Sequence, residues 1–307
     1  MSHDIVILGV FVADTAYRAN RQPKMGETIL GNGFSLGPGG KGSNQSVAAA
    51  RSGGNVAFIT KLGDDAFADM AMATWQKAGV DPLVSRDPAS YTGAAYIFLE
   101  EGTGNNAIIV SPGAAATITP AEMDARAGII GSAKVFVTQL EQPLDAAVRA
   151  LEIARAAGAV TILNPAPAQP LDASVFALCD YVTPNETEAE ILTGLPVTNL
   201  EEARIAADRL LALGVKTALI TLGSQGALYH TEGQSVLMPS FKAEKVVDTT
   251  GAGDAFNGGF ATALAEGMAP LDAVRFGCAV AGISVTRAGT APSMPSRAEI
   301  DDLLAKA

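Results

Sequence analysis

The sequence predicts an α/β fold: one large, doubly wound, mostly parallel sheet flanked by helices, with a small β-sheet lid attached. Three observations carry that prediction. Short runs rich in Val and Ile alternate with amphipathic helical segments. Two turn-rich stretches, approximately 13–36 and 91–110, interrupt the alternation with short antiparallel-type segments. Hydrophobic residues make up 48% of the 307 residues and charged residues 17%, enough to close a large core. We read 1–307 as one domain with no linker and no internal repeat.

The elements follow in order. Runs at 5–8, 56–60, 135–138, 160–163 and 218–221 are apolar and β-branched, as buried parallel strands require. Between them, 144–157 places Leu144, Val148, Leu151 and Ala154 on one helical face, with Gly158 as its stop. A second helix spans 201–213 and closes at Gly214. The first interrupting stretch carries Pro23, Gly26, Gly31 and Gly33. The second reads as β-runs at 94–99 and 107–110 around the turn Glu101-Gly102-Thr103-Gly104-Asn105-Asn106.

Charge and cysteine content exclude several functions. The 21 basic and 32 acidic residues give a formal charge of −11, which repels nucleic-acid backbones and anionic membranes. A nucleotide ligand remains compatible, held by local cations, a metal ion and backbone N–H groups. Cys179 and Cys278 are too few for a disulfide framework or a zinc site. No stretch reaches about 18 consecutive apolar residues, and 1–12 lacks a basic leader, so a cytoplasmic location is expected.

Four segments carry chemistry. Asp248-Thr249-Thr250-Gly251-Ala252-Gly253-Asp254 follows a β-like run at 243–247 and opens a helix bearing Phe256, Phe260 and Leu264. Small residues at a helix start let an anion approach backbone N–H groups, which suits a transferring phosphoryl group. Asp254 beside it can accept a hydroxyl proton, or it can simply cap the helix. Gly37-Pro38-Gly39-Gly40-Lys41-Gly42-Ser43-Asn44-Gln45 precedes a small-residue helix at 46–51. Gly42 separates Lys41 from Ser43 and so breaks a Walker A pattern. Gly37, Gly39 and Gly42, with Asp64 further on, match a dinucleotide fingerprint, but no regular strand precedes them. A loop that brings backbone, Lys41 and Asn44 to a polyhydroxylated ligand is the better account, and a dinucleotide-dependent oxidoreductase stands as the alternative.

In Thr183-Pro184-Asn185-Glu186-Thr187-Glu188, Asn185 and Glu188 share a face at a helix start. They suit Mg²⁺ held through water, or equally a capping box. Thr221-Leu222-Gly223-Ser224-Gln225-Gly226 follows a buried strand, where open α/β sheets bind ligands, and also reads as an ordinary turn.

Taken together and in this order, these segments resemble the ribokinase family of carbohydrate kinases, along nearly the whole chain. The segments Pro184–Glu188, Leu140-Glu141 and Asn164-Pro165-Ala166-Pro167 add to the likeness. The resemblance implies ATP-dependent phosphorylation of the 5-hydroxyl of D-ribose. It implies that Asp254 is the base and that Gly251, Ala252 and Gly253 form the anion hole. Asp14, Gly39, Gly40, Lys41, Asn44 and Glu141 then contact the sugar. Asn185, Thr221, Gly223, Ser224, Gly226, Gly253 and Cys278 face the nucleotide, with Asn185 and Glu188 on Mg²⁺ through water. Asp248, Thr250, Ser284, Arg287, Gly289 and Ser293 match a site for K⁺ or another monovalent cation. The two interrupting stretches match a β-lid that closes over the sugar and pairs subunits into a homodimer.

One position departs from the family pattern. Val12, two residues before Asp14, stands where the family usually carries an asparagine that reaches the sugar's secondary hydroxyls. Valine cannot hydrogen-bond, so the site loses a means of preferring a hydroxyl there. That is compatible with 2-deoxyribose or another pentose or furanose as substrate, with ribose ranked first.

Overall fold

The computed structural model describes residues 3–103 and 105–306. Met1, Ser2, Gly104 and Ala307 lie outside the described residues, and with them one position of the predicted turn and the first residues of the leader reading.

The chain opens with β1 (Ile5–Leu8), β2 (Val12–Ala19), β3 (Gly33–Gly39) and α1 (Lys41–Arg51). It continues through β4 (Val56–Leu62), α2 (Ala66–Ala78), β5 (Asp81–Arg86), β6 (Thr92–Glu100) and β7 (Asn106–Gly113). Short helices α3 (Pro120–Asp124) and α4 (Ala127–Ile130) lead to β8 (Val135–Thr138), α5 (Leu144–Ala156) and β9 (Val160–Leu163). Then come α6 (Ala173–Phe176), β10 (Tyr181–Val182), α7 (Glu186–Thr193), α8 (Leu200–Ala212) and β11 (Thr217–Thr221). The remainder is β12 (Gly226–Thr231), β13 (Gln234–Pro239), α9 (Ala252–Ala265), α10 (Pro270–Ser284) and α11 (Arg297–Lys306).

Nine strands form the main sheet in the order β13-β12-β11-β10-β9-β8-β1-β4-β5. Its strands pair in parallel from β10–β11 through β4–β5, and only the β11–β12 and β12–β13 pairs are antiparallel. Because side chains alternate along a strand, β1 sends Ile5 and Ile7 into one core and Val6 and Leu8 into another. The first core packs α1, α2, α9 and α10, and the second packs α5, α7 and α8. Helices therefore cover both faces, as the apolar runs predict. On α5 the buried stripe runs through Ala147, Ala150, Leu151 and Ala154, while Val148 and Leu144 sit at its margin. Gly158 and Gly214 follow α5 and α8 with φ of 85° and 111°, the left-handed side where glycine ends a helix.

The two interrupting stretches build a second, four-stranded sheet in the order β3-β2-β6-β7. Each stretch is itself an antiparallel pair, and β2 joins β6 in parallel. Two sequence expectations need correction. The helix expected at 46–51 begins five residues earlier, so Lys41, Gly42, Ser43 and Asn44 are its first turn rather than a loop. The β-like run at 243–247 is no strand. Val246 and Val247 are exposed there, and the Val247 N–H bonds the Val285 carbonyl at the end of α10 instead of a strand. Among the described residues no helix is long and apolar enough to cross a membrane.

Candidate active site

Two helix starts meet at the carboxyl ends of the parallel strands. Gly40 leaves β3 with φ 88° and caps α1; a Cβ there would stand 2.5 Å from the Val10 carbonyl oxygen. Gly251 caps α9 with φ 79° and puts Asp254 in the first helical turn. The helices touch closely because Gly258 has no side chain: its Cβ would fall 2.6 Å from the Gln45 carbonyl oxygen. That contact brings the amides of α1 onto the carboxylate of α9.

Asp254 is buried, and each of its oxygens accepts one hydrogen bond. Asn44 Nδ2 donates to Oδ2 at 3.0 Å, and Gln45 Nε2 donates to Oδ1 at 3.0 Å. The same Gln45 nitrogen reaches Asn164 Oδ1 at 3.0 Å, while Gln139 Nε2 donates to Gln45 Oε1 at 2.6 Å. Asn164 Nδ2 donates to the Thr183 carbonyl at 3.0 Å. Asn257 accepts from Thr183 Oγ1 at 2.7 Å and donates to the Gly253 carbonyl at 2.8 Å. Asn44 Oδ1 is buried with no partner in the protein. A buried acceptor left open beside a carboxylate is suited to a ligand hydroxyl.

Charge concentrates here. Glu141 Oε2 accepts the Lys41 backbone N–H at 2.8 Å, and Gly39 gives Asp14 its room, since a Cβ there would overlap the Asp14 carboxylate. Burial pushes the Asp14 carboxyl up to about 6, with Asp254 adding to the effect. Burial likewise raises Glu141 to about 7, against the pull of Lys41. Burial raises Asp254 too, opposed by Lys41 and by the Asn44 and Gln45 donors. Burial works against the Lys41 ammonium, but Asp254, Glu141 and Glu188 outweigh it and hold its pKa above the ordinary value.

The other predicted residues occupy three places. Asn185 and Glu188 form a complete capping box on α7: Glu188 N–H bonds Asn185 Oδ1 and Asn185 N–H bonds Glu188 Oε2, both at 2.9 Å. Thr221 bridges Asn185, and Gly223 and Ser224 make a single turn that ends at Gly226. Gly226 has φ 113°, and its backbone lies against Met238 and Ser240, so only glycine fits. Cys278 is buried in the core on α10, and burial pushes its thiol up to about 12.

The candidate cation residues surround the loop after α10. Asp248 accepts from Thr250 N at 2.9 Å and from Gly289 N at 3.0 Å. Burial works against its charge, yet these donors hold its carboxyl below the ordinary range. Ser284 and Ser293 hydroxyls donate to the Ala281 and Thr290 carbonyls. The Arg287 guanidinium pairs with Glu299.

Sequence reasoning did not single out Gln139, Gln45, Asn164, Thr183 and Asn257 as functional side chains, although the structure ties all of them to Asp254. Gln139 directly follows β8 and Asn164 directly follows β9, and an amide at the carboxyl end of a buried parallel strand was the available signal.

A doubly wound sheet with polar and charged side chains gathered at its strand ends is the arrangement in which α/β folds bind ligands. The pattern of the pfkB family carbohydrate kinases matches residues 2–297. The chain is 38% identical to the ribokinase of Haemophilus influenzae over 99% of both chains. It is 38% identical to the deoxyribokinase of Salmonella typhi over 98% of both. The structure of Arabidopsis thaliana ribokinase complexed with ribose and ATP superposes with a TM-score of 0.94 at 32% identity, covering 99% of each chain. The chain belongs to the pfkB family carbohydrate kinases, enzymes that transfer a phosphoryl group to an alcohol.

Proposed function

We propose that this enzyme transfers the γ-phosphoryl group of ATP to O5 of D-ribose, with Asp254 as the base. The observation that carries the reading is the pair of donors on Asp254, which leave the buried Asn44 Oδ1 open beside it. Asp254 takes the hydroxyl proton and aims the oxygen, while Asn44, Lys41, Asp14 and Glu141 hold the sugar. Gly253 leaves open space where a side chain would stand, so a phosphoryl group can approach the N-terminus of α9. Closing the small sheet over the sugar excludes water, which competes for the phosphoryl group.

Asn185, Thr221, Gly223, Ser224 and Gly226 are the nucleotide side of the site. Mg²⁺ fits Asn185 and Glu188 through its water shell only, because the capping box already uses one oxygen of each and no cluster of three acidic, His or Cys ligands exists among the described residues. When bound, it neutralises charge on the phosphates. K⁺ fits the ring of Asp248, Thr250, Ser284, Gly289 and Ser293, with Arg287 taking part through its main chain alone. The lid face opposite Asp14, with Tyr17, Phe34 and Ile109 exposed, is the homodimer face, and the enzyme is cytoplasmic.

One observation favours a second reading, a 2-deoxyribose kinase. Val12 shares the face of β2 with Asp14 and packs among apolar side chains, so it offers no hydrogen bond to a secondary hydroxyl. Measuring kcat/KM with ATP for ribose, 2-deoxyribose, fructose and a nucleoside decides between them. Ribose highest supports the first reading; 2-deoxyribose highest replaces it with the second; turnover of none rejects both.

A further inference from the structure

We propose that Gln45 is a positioning residue for phosphoryl transfer: its carboxamide fixes Asp254 in one orientation and holds it ionised. The inference rests on Asp254 being the base. Gln45 is fully buried, and both its polar atoms are engaged by protein partners. It has nothing to offer a ligand, unlike Asn44 with its open Oδ1.

The direction of the Gln45 amide is set from a distance. The Thr183 carbonyl can only accept, so Asn164 must turn its NH₂ toward it and present Oδ1 to Gln45. Gln45 must then turn its own NH₂ toward Asn164, and the second N–H falls on Asp254 Oδ1. Gln139 completes the relay by donating to Gln45 Oε1. Gln139 Oε1 in turn lies against Gly9 and Gly42, where a Cβ on Gly42 would stand 2.8 Å away. The strand ends of β8, β9 and β10 thus determine which end of the amide meets the base.

A donor to the ionised form lowers a carboxyl pKa, and its loss raises it. The test is kcat against pH at saturating ATP and the best sugar of the substrate panel, for wild type, Gln45→Met, Gln45→Glu and Asp254→Asn. Asp14, Lys41, Glu141 and Glu188 also face Asp254 and titrate in every profile, so the difference from wild type is the readout. Gln45→Met is expected to move the acidic limb up by about one pH unit, as loss of a charge-assisted hydrogen bond does. At neutral pH kcat falls about tenfold, with KM for both substrates within about threefold of wild type. Gln45→Glu moves the limb further in the same direction. An acidic limb that stays in place, or a loss confined to KM, overturns the inference. Should circular dichroism show Gln45→Met unfolded, Gln139→Met is read instead, with a smaller upward shift expected and an unmoved limb equally fatal. Asp254→Asn separates the two layers: retained turnover rejects the base itself, whereas an inactive variant beside an unmoved Gln45→Met limb rejects the positioning role alone.

Discussion

On the proposed function, Asp254 is the residue on which the chemistry turns. Asp254→Asn keeps the shape and one oxygen for the Gln45 donor, but it loses the second acceptor, which Asn44 Nδ2 uses, and with it the proton acceptor. Turnover is expected to fall by about 10²–10⁴-fold with ATP binding retained, measured by coupled assay and calorimetry. A variant with more than a tenth of the wild-type rate contradicts the assignment. Asp14 and Glu141 make a separate prediction about stability. Their carboxyls rise from 3.8 to about 6 and from 4.5 to about 7 on folding. A raised acid binds its proton more tightly when folded, so its stabilising contribution is full below the unfolded value and is lost as pH climbs through the folded one. The unliganded enzyme therefore loses stability between roughly pH 4 and 7 from these groups. Melting curves of Asp14→Asn and Glu141→Gln should flatten that slope. Asp14 and Glu141 entered the sequence reading only through the family resemblance, whereas Lys41 and Asn44 stood out in their glycine-rich segment. The functional role of Gln45, Gln139 and Asn164 was not drawn from the sequence: amides in a buried relay leave no spacing pattern, and only a place at a strand end marks Gln139 and Asn164.

Elements differ in how openly the sequence declares them. β1, β8 and β9 are runs of β-branched and apolar residues buried on both faces, and periodicity alone finds them. The start of α1 is the opposite case. Two glycines and no apolar residue precede Val47 there, so nothing local reads as helix. The element forms because Gly40 turns against Val10 and because Gly42 nests on Gly9, contacts that exist only in the folded chain. The run at 243–247 misleads in reverse, since it finds no strand to pair with. Glycine substitutions test these readings. Gly42→Ala places a Cβ 3.1 Å from Phe58 and 2.8 Å from Gln139 Oε1. Chemical denaturation should show a loss of about 1–3 kcal/mol from overpacking. Gly253→Ala meets nothing within 4 Å and should hold or raise stability. If the α9 N-terminus receives the phosphoryl group, that variant loses activity while remaining folded, a separation that no purely structural role of Gly253 produces.

At the scale of the whole molecule, the doubly wound plan and the second sheet were readable from alternation and its two interruptions. The parallel junction of β2 with β6 was not, because it joins segments far apart in the chain through hydrogen bonds that carry no sequence signature. The loop after α10 links distant parts as well. Thr290 Oγ1 donates to the Pro38 carbonyl at 2.7 Å, and Gly289 N–H holds Asp248, so the proposed cation ring abuts the end of β3. Replacing K⁺ by tetramethylammonium is expected to lower kcat strongly; an unchanged rate rejects a functional cation there.

The carboxylates of Glu141, Glu188 and Asp254 around the ammonium of Lys41, with Asp14 beside Asp254, also bear on how a catalytic cycle ends. An uncharged sugar enters this negative field without penalty, whereas a sugar phosphate leaves it as a dianion pushed from behind. If the proposed sugar site is here, the centre that admits the substrate also ejects the product, and turnover should resist inhibition by the accumulated sugar phosphate. Product inhibition constants should tighten as pH falls toward 6, where Glu141, at about 7, and then Asp14, at about 6, take up protons. An inhibition constant indifferent to pH across that range would show that release owes nothing to this field.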